Sequence, residues 1–458
     1  MKLPDAFEER MNQMLGAEAE AFLNTYEEPK SQGLRFNPLK IDRDAFLKLT
    51  PFDLQPVPFC ETGFYYKTQD EPGKHPYHQA GMYYIQEPSA MAVADLLDVS
   101  PGERVLDLCA APGGKSSQLA GKMAGQGLLV SNEFIPKRAK ILSENLERMG
   151  VTNALVTNES PERLASFFGE WFDRVLVDAP CSGEGMFRKD PAAADYWSPE
   201  HVHECSKLQH DILDHAYSLL KPGGTLVYST CTFSAEENEQ MMEQFLNDYA
   251  DMELLSLEHT NGIEPGRPEW TRTGVTEVVK TSRLWPHKLL GEGHFAAKLR
   301  KKSDATSHIG GGNLKEEKGL LPKGQAKDFL KFVKDTLKVE PPNKYKLMGR
   351  HIYAIPDGLP DVSGLKVLRC GLHLGELKKN RFEPNHAWAV ALCPEEVRRV
   401  HELSSESEDW RNYLRGETLP TSVSDGWTLV LIDGYSLGWG KAVQGTLKNY
   451  YPKGLRRP

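Results

Sequence analysis

The chain has 458 residues, 40% of them hydrophobic and 26% charged, with a formal net charge of -9. At ~150 residues per domain that length holds about two to four domains with ample core. No run approaches the ~20 apolar residues of a membrane span, and MKLPDAFEER has no apolar signal-peptide core. Seven cysteines without a CxxC pair argue against a disulfide framework and fit a reducing, cytoplasmic setting.

In chain order, a helical start from Ala6 to Tyr26 leads into Pro-rich extended chain around Pro51, Pro56 and Pro58. From about Tyr84 to Lys302 short apolar runs alternate with helical stretches. The runs cover 104–109, 128–131, 154–157, 174–178 and 225–229, each bordered by turn residues, and read as buried strands. One helix is expected from Pro136 to Gly150. Another is expected to begin at Ser234, with Glu237 completing a capping box before Met241, Met242, Phe245 and Leu246. This alternation predicts a parallel sheet covered by helices on both faces. The polar, Gly-rich stretch between Lys302 and Gly324 reads as a linker. An amphipathic helix carrying Phe329, Phe332, Val333 and Leu337 follows, and beyond Tyr345 the pattern is that of a small β-rich module.

The negative charge is a sum over unlike regions. Lys298 to Arg350 carries +8, Lys366 to Arg381 +4 and Lys441 to Pro458 +5, so the rest of the chain carries -26. A basic run is ordinarily solvated surface, but three in the C-terminal third of an acidic chain point to a polyanion partner.

Three segments carry chemistry. Asp107-Leu-Cys-Ala-Ala-Pro-Gly-Gly-Lys-Ser116 follows a strand and opens a helix, and Gly113 and Gly114 allow a ligand close to the backbone. Glu133, ending the next strand, can grip two ribose hydroxyls, which fits S-adenosylmethionine as well as a dinucleotide. Asp178-Ala-Pro-Cys181-Ser-Gly and Ser229-Thr-Cys231-Thr each follow a strand directly. Two cysteines and an acid beside a nucleoside-binding loop suit methylation of cytosine at carbon 5. That carbon becomes nucleophilic once a thiolate adds to carbon 6, and a base then removes the carbon 5 proton. His201, His203, Cys205, His210 and His215 lack a second ligand pair at metal spacing and read as a solvated helix, so no metal is expected. Trp427, Tyr435 and Trp439 read as core of the β-rich module.

Asp107–Ser116 as DLCAAPGGKS, Asp178–Gly183 as DAPCSG and Ser229–Thr232 followed by Glu236-Glu-Asn238 resemble the Sun/Fmu-type RNA cytosine-5 methyltransferases. The resemblance extends to Arg35–Lys40, Tyr84–Met91 and Gly293–Arg300, covering about residues 30–302. The C-terminal portion resembles the RsmF-like branch. This resemblance implies an α/β fold. Its centre is a Rossmann-like, mostly parallel, doubly wound S-adenosylmethionine-dependent methyltransferase domain, flanked by a small α+β N-terminal region and a PUA-like C-terminal domain. The implied division is an N-terminal RNA-binding region (1–80), a catalytic domain (81–302), a linker (303–325), an intermediate module (326–385) and a PUA-like RNA-binding domain (386–458).

The resemblance also implies roles. Cys231 attacks carbon 6 and Cys181 helps product release, with Asp178 and Lys115 placing the base. Cys109, Ala110, Ala111, Pro112, Gly113, Gly114 and Lys115 contact the cofactor, Glu133 holds its ribose with support from Arg138, and Asp178 borders it. In the family an Asp near the adenine follows the third strand. Gapless counting places Ser160 there, with Asn158 as a second hydrogen-bonding group. The implied substrate is 16S rRNA or the 30S subunit near the decoding region, and the expected enzyme is monomeric. A tRNA methyltransferase and a non-catalytic RNA-binding assembly factor are the alternatives.

Overall fold

The computed structural model describes residues 2–304, 314–319, 321, 326–341 and 343–456. Of the linker expected at 303–325, residues 305–313, 320 and 322–325 lie outside the described residues. No helix among the described residues is long and apolar enough to cross a membrane.

A ten-stranded mixed sheet forms the centre. Five strands lie side by side and run parallel, in the order Leu220–Thr230, Phe172–Asp178, Arg104–Asp107, Leu128–Asn132 and Ala154–Thr157. They form here because Val105, Leu106, Leu129, Val130, Leu155, Val156, Val175, Leu176, Leu226 and Val227 are all fully buried. Apolar residues on both faces require helices on both sides. Leu106, Val130 and Val175 pack on one side with Ile212 and Phe245. Val105, Leu129 and Leu176 pack on the other with Leu119 and Leu142. The strand order reverses at Arg104–Asp107, whose neighbours follow it in sequence on one side and much later on the other. Such a switch point opens a crevice beyond the carboxyl ends of the strands.

Two antiparallel strands, His294–Lys301 and Ser282–Leu284, extend one edge of the sheet. At the other edge Val367–Cys370 pairs antiparallel with Ala154–Thr157. A segment from the expected intermediate module therefore belongs to the central sheet, and Leu359, Val362 and Cys370 join its core.

The N-terminal helix is broken where one helix was expected. Asp5–Leu15 ends at Gly16, at φ 55°, and a second helix spans Ala19–Asn24. Glycine tolerates this turn without the Cβ penalty other residues meet. Beyond it Gln55–Pro56, Gly63–Tyr65, Gly33–Phe36 and Tyr83–Ile85 form a four-stranded antiparallel sheet. Its core residues Leu34, Phe36, Phe46 and Phe64 share one cluster with Leu403, Trp410, Val430 and Leu447. Tyr77 donates to Asp433 at 2.7 Å across the same contact. The first and last parts of the chain are packed together.

The C-terminal strands form two further sheets, of four and five strands. The amphipathic helix spans Lys327–Thr336 with Phe329 and Phe332 buried. Phe332 packs against Trp439, which is fully buried, and against the partly buried Trp427. Tyr435 is partly buried against the cluster shared with the N-terminal region.

Candidate active site

The loop from Leu108 to Gly113 leaves the central strand and enters the helix Gly114–Met123. Gly113 caps that helix at φ 110°, a conformation that favours glycine. The loop is pinned from three directions. The Ala110 amide donates to Asn132 at 2.8 Å, Arg138 Nη2 to the Ala111 carbonyl at 2.8 Å, and Asn145 to the Pro112 carbonyl at 2.9 Å. Arg138 also lies 3.4 Å from the buried Glu133 carboxylate, so one guanidinium joins the loop to the acid at the end of the next strand.

Two cavities meet at this loop. The larger, about 650 Å³, is lined by Cys109, Ala111, Glu133, Phe134, Ile135, Arg138, Ser160, Asp178, Cys181 and Cys231. Phe134, Ile135 and Leu208 line it while remaining 66%, 47% and 48% exposed, a surface suited to a flat ring. The smaller, about 210 Å³, is lined by Gln86, Glu87, Asp107, Cys109 to Pro112, Gly114, Lys115, Asp178, Met186, Lys189, Cys231 and His294. Asp178 and Cys231 border both cavities.

The two thiols converge from two strand ends, with Cys181 Sγ and Cys231 Sγ 3.3 Å apart. Beside them Lys115 Nζ donates to Asp178 Oδ2 at 2.7 Å, and Ser229 Oγ donates to Asp178 Oδ1 at 2.7 Å. Burial alone would raise the Asp178 pKa. Lys115, His294 and the Ser229 hydroxyl together outweigh it, and the carboxyl titrates below its usual range. Burial likewise opposes charge on Lys115, but Asp178 and Cys231 hold its pKa above the ordinary value. Cys181 is pushed well above the usual thiol range, first by its contact with Cys231 and then by burial. It therefore stays a protonated thiol at neutral pH.

Two buried carboxylates hold the cysteine loops. Glu237 accepts from the Ser182 amide at 3.0 Å and from Gln209 at 2.7 Å, while Gln209 also donates to the Pro180 carbonyl. Glu184 accepts from the Phe233 amide, the Ser234 hydroxyl and Trp197 Nε1 at 2.7–3.0 Å. The capping box expected at Ser234 and Glu237 is therefore absent. The α-helix begins at Glu239, because both side chains are drawn into this loop network instead. Gly185 passes under Cys231, where a Cβ would lie 2.9 Å from the Cys231 carbonyl. The sequence pattern points to Glu237 only as a helix cap and to no role for Glu184 or His294.

Ser160 lines the larger cavity, but its hydroxyl accepts from the Arg163 amide at 3.2 Å as a helix cap. Asn158 donates to the Glu133 and Phe134 carbonyls at 2.8 Å each. Its own amide donates to the Lys366 carbonyl, and Glu159 accepts from the Lys366 amide at 2.7 Å. The C-terminal segment thus buttresses the loop that carries Glu133. The histidine-rich segment is one helix, Pro199–Leu219, where His210 is paired with Asp248 at 2.9 Å. Its Leu208, Asp211, Ile212 and His215 line the larger cavity.

Residues 94–300 match the family model for 16S rRNA methyltransferase RsmB/F. Residues 3–88 match the N-terminal domain of 16S rRNA methyltransferase RsmF. Residues 331–392 match its first C-terminal domain, and residues 400–457 its PUA domain. The ribosomal RNA small subunit methyltransferase F of Vibrio vulnificus is 32% identical over 99% of this chain and 98% of its own length. That of Aeromonas salmonicida is 34% identical over 99% and 97%. A methyltransferase homolog from Pyrococcus horikoshii superposes with a TM-score of 0.58 at 32% identity, covering 65% of this chain and 95% of that one. NSun6 from the same organism shares the fold, with a TM-score of 0.57 at 22% identity, over 66% of this chain and 99% of that one.

Proposed function

The chain belongs to the RsmB/F family of 16S rRNA methyltransferases, and from that premise we propose that it methylates carbon 5 of cytosine in 16S rRNA near the decoding region. The observation that carries the chemistry is the pair of thiols 3.3 Å apart beside the Lys115–Asp178 pair. One thiol suffices for attack; a second in contact with it has a use when the first must leave. We further assign RNA contact to the N-terminal region (1–80) and the PUA-like module (386–458), and read the enzyme as a cytoplasmic monomer.

The residues fit S-adenosylmethionine as donor. Glu133 is placed for two ribose hydroxyls, and the exposed apolar side chains of the larger cavity for an adenine. Asp107 Oδ1 is buried without a hydrogen-bond partner among the described residues, next to the cavity that Asp107 lines, and suits an ammonium group. Bound there, the cofactor supplies a methyl group on an electrophilic sulfonium. The protein's residues do the rest. Lys115 and Asp178 hold the base edge, Cys231 bonds to carbon 6, and carbon 5 gains the nucleophilicity it lacks. Once a base takes the carbon 5 proton, its bonding electrons re-form the carbon 5–carbon 6 double bond, Cys231 departs as a thiolate, and the Cys181 S–H donates a hydrogen bond to it across the 3.3 Å contact.

Incubation with a tritiated methyl donor and 30S subunits, naked 16S rRNA or tRNA tests this reading, with bisulfite sequencing to locate the site. Label is expected in small-subunit RNA. Label in tRNA alone overturns the substrate, and no label in any RNA overturns the activity.

Two further outcomes are expected. Glu159→Ala removes the bond to Lys366 and should raise KM for the methyl donor about 10-fold with little change in RNA affinity. Glu159→Gln retains an acceptor and should restore it. RNA affinity should fall steeply with salt. Within the basic tail, Lys441, Lys448 and Lys453 form no ion pair among the described residues, whereas Lys344, Lys346 and Lys378 are paired with carboxylates. Replacing the three unpaired lysines by Gln should lower the slope of log affinity against log salt by about 2–3. Truncation after residue 302 would not isolate this effect, since it removes a strand of the central sheet.

A further inference from the structure

His294 begins the strand His294–Lys301 and is 4% exposed, yet it lines the smaller cavity together with Lys115, Asp178 and Cys231. Its Nδ1 is 3.1 Å from Ser89 Oγ and 3.6 Å from Glu87 Oε2. Glu87 accepts four hydrogen bonds, from the amides of Ser89, Ala90 and Glu292 and from the Ser89 hydroxyl. A carboxyl group filled by four donors is an acceptor, so the one proton of Ser89 points to Glu87 at 2.6 Å. The Ser89 oxygen must then accept from His294, which places the ring proton on Nδ1. Nε2 is then the ring nitrogen that keeps its lone pair.

We propose that His294 reads the target base, its Nε2 accepting a hydrogen bond from the exocyclic amino group of cytosine. Uracil, with a carbonyl at that position, offers no proton to it. The proposal rests on the cytosine reading above and names a discriminating residue within it. The groups facing the ring are Glu87, Asp178 and Lys115. Burial and then Lys115 lower the imidazole pKa against the two carboxylates, which keeps the ring neutral and Nε2 unprotonated near pH 7. Burying an acceptor opposite a substrate donor is the arrangement that discriminates most strongly, because the wrong partner leaves it unpaired.

A double-mutant cycle on the full-length protein tests it. Affinity is measured in the Cys231→Ala background, where no covalent bond forms, for two RNAs that differ at the target. One carries cytosine, the other 2-pyrimidinone, which lacks the amino group. His294→Ala should weaken binding of the cytosine RNA about 10-fold and leave the pyrimidinone RNA unchanged. With Cys231 restored, His294→Gln, whose side chain also offers an acceptor, should recover most of kcat/KM on cytosine RNA, with cofactor affinity unaltered. Equal losses on both RNAs would overturn the assignment and leave His294 with a structural part. If the unaltered enzyme labels no cytosine in any RNA, the functional reading itself falls and the assignment with it.

Discussion

Cys231→Ala should lower methyl transfer by about 10⁴-fold or more while RNA binding and melting temperature stay near those of the parent protein. The reason lies in the backbone. The Cys231 carbonyl accepts from the Gly185 amide at 2.9 Å, and alanine keeps that bond. Cys181→Ala should fail differently. It removes the S–H donor that faces the departing sulfur, so the Cys231–RNA adduct should persist. A band of retarded mobility on a denaturing gel with labelled RNA reads this out. If Cys231→Ala traps RNA and Cys181→Ala is silent, the roles are reversed.

Asp178→Asn is the second large effect. Its carboxylate takes hydrogen bonds from Lys115 and Ser229. An asparagine turns one oxygen into an NH₂ group and leaves a largely buried ammonium without its counter-charge. Asp178 is itself about a third exposed, at 32%. Solvent screening therefore moderates the loss to about 1–3 kcal/mol. Activity should drop about 10²–10⁴-fold, since neither the lysine nor the base edge keeps its partner. The pH dependence has a fixed sign. Because the folded carboxyl titrates below its unfolded value, its stabilisation is present above about pH 4 and is lost as pH falls through the folded value. Melting temperatures of the two proteins should thus differ at pH 7 and converge on strong acidification.

The parallel strands and the Gly113–Gly114 loop were legible because their signals are local: buried apolar runs, turn residues and a short motif. Cys181 and Cys231 were legible because each directly follows such a run. The network behind them was not. Glu237 and Ser234 sit at the spacing of a capping box, and only the tertiary pull of Ser182, Gln209 and Glu184 decides otherwise. Val367–Cys370 escaped for a similar reason. Four residues after a glycine-rich stretch resemble any short strand, and nothing local says that the partner is Ala154–Thr157, over two hundred positions earlier. His294 looked like part of a strand motif, and its role depends on Glu87 and Ser89, which approach from the start of another helix.

That late strand has a consequence for biosynthesis. A ribosome adding about 5–20 residues per second releases both cysteines and the glycine loop well before Val367–Cys370 emerges. Until then the Ala154–Thr157 strand is an uncovered edge, and the loop bearing Asn158 and Glu159 lacks its brace. The nascent enzyme therefore gains a finished cofactor cleft only once the chain has been made past Cys370, ahead of most of the PUA domain at 400–457. An incomplete chain, stalled or clipped, would carry the thiols without the means to use them.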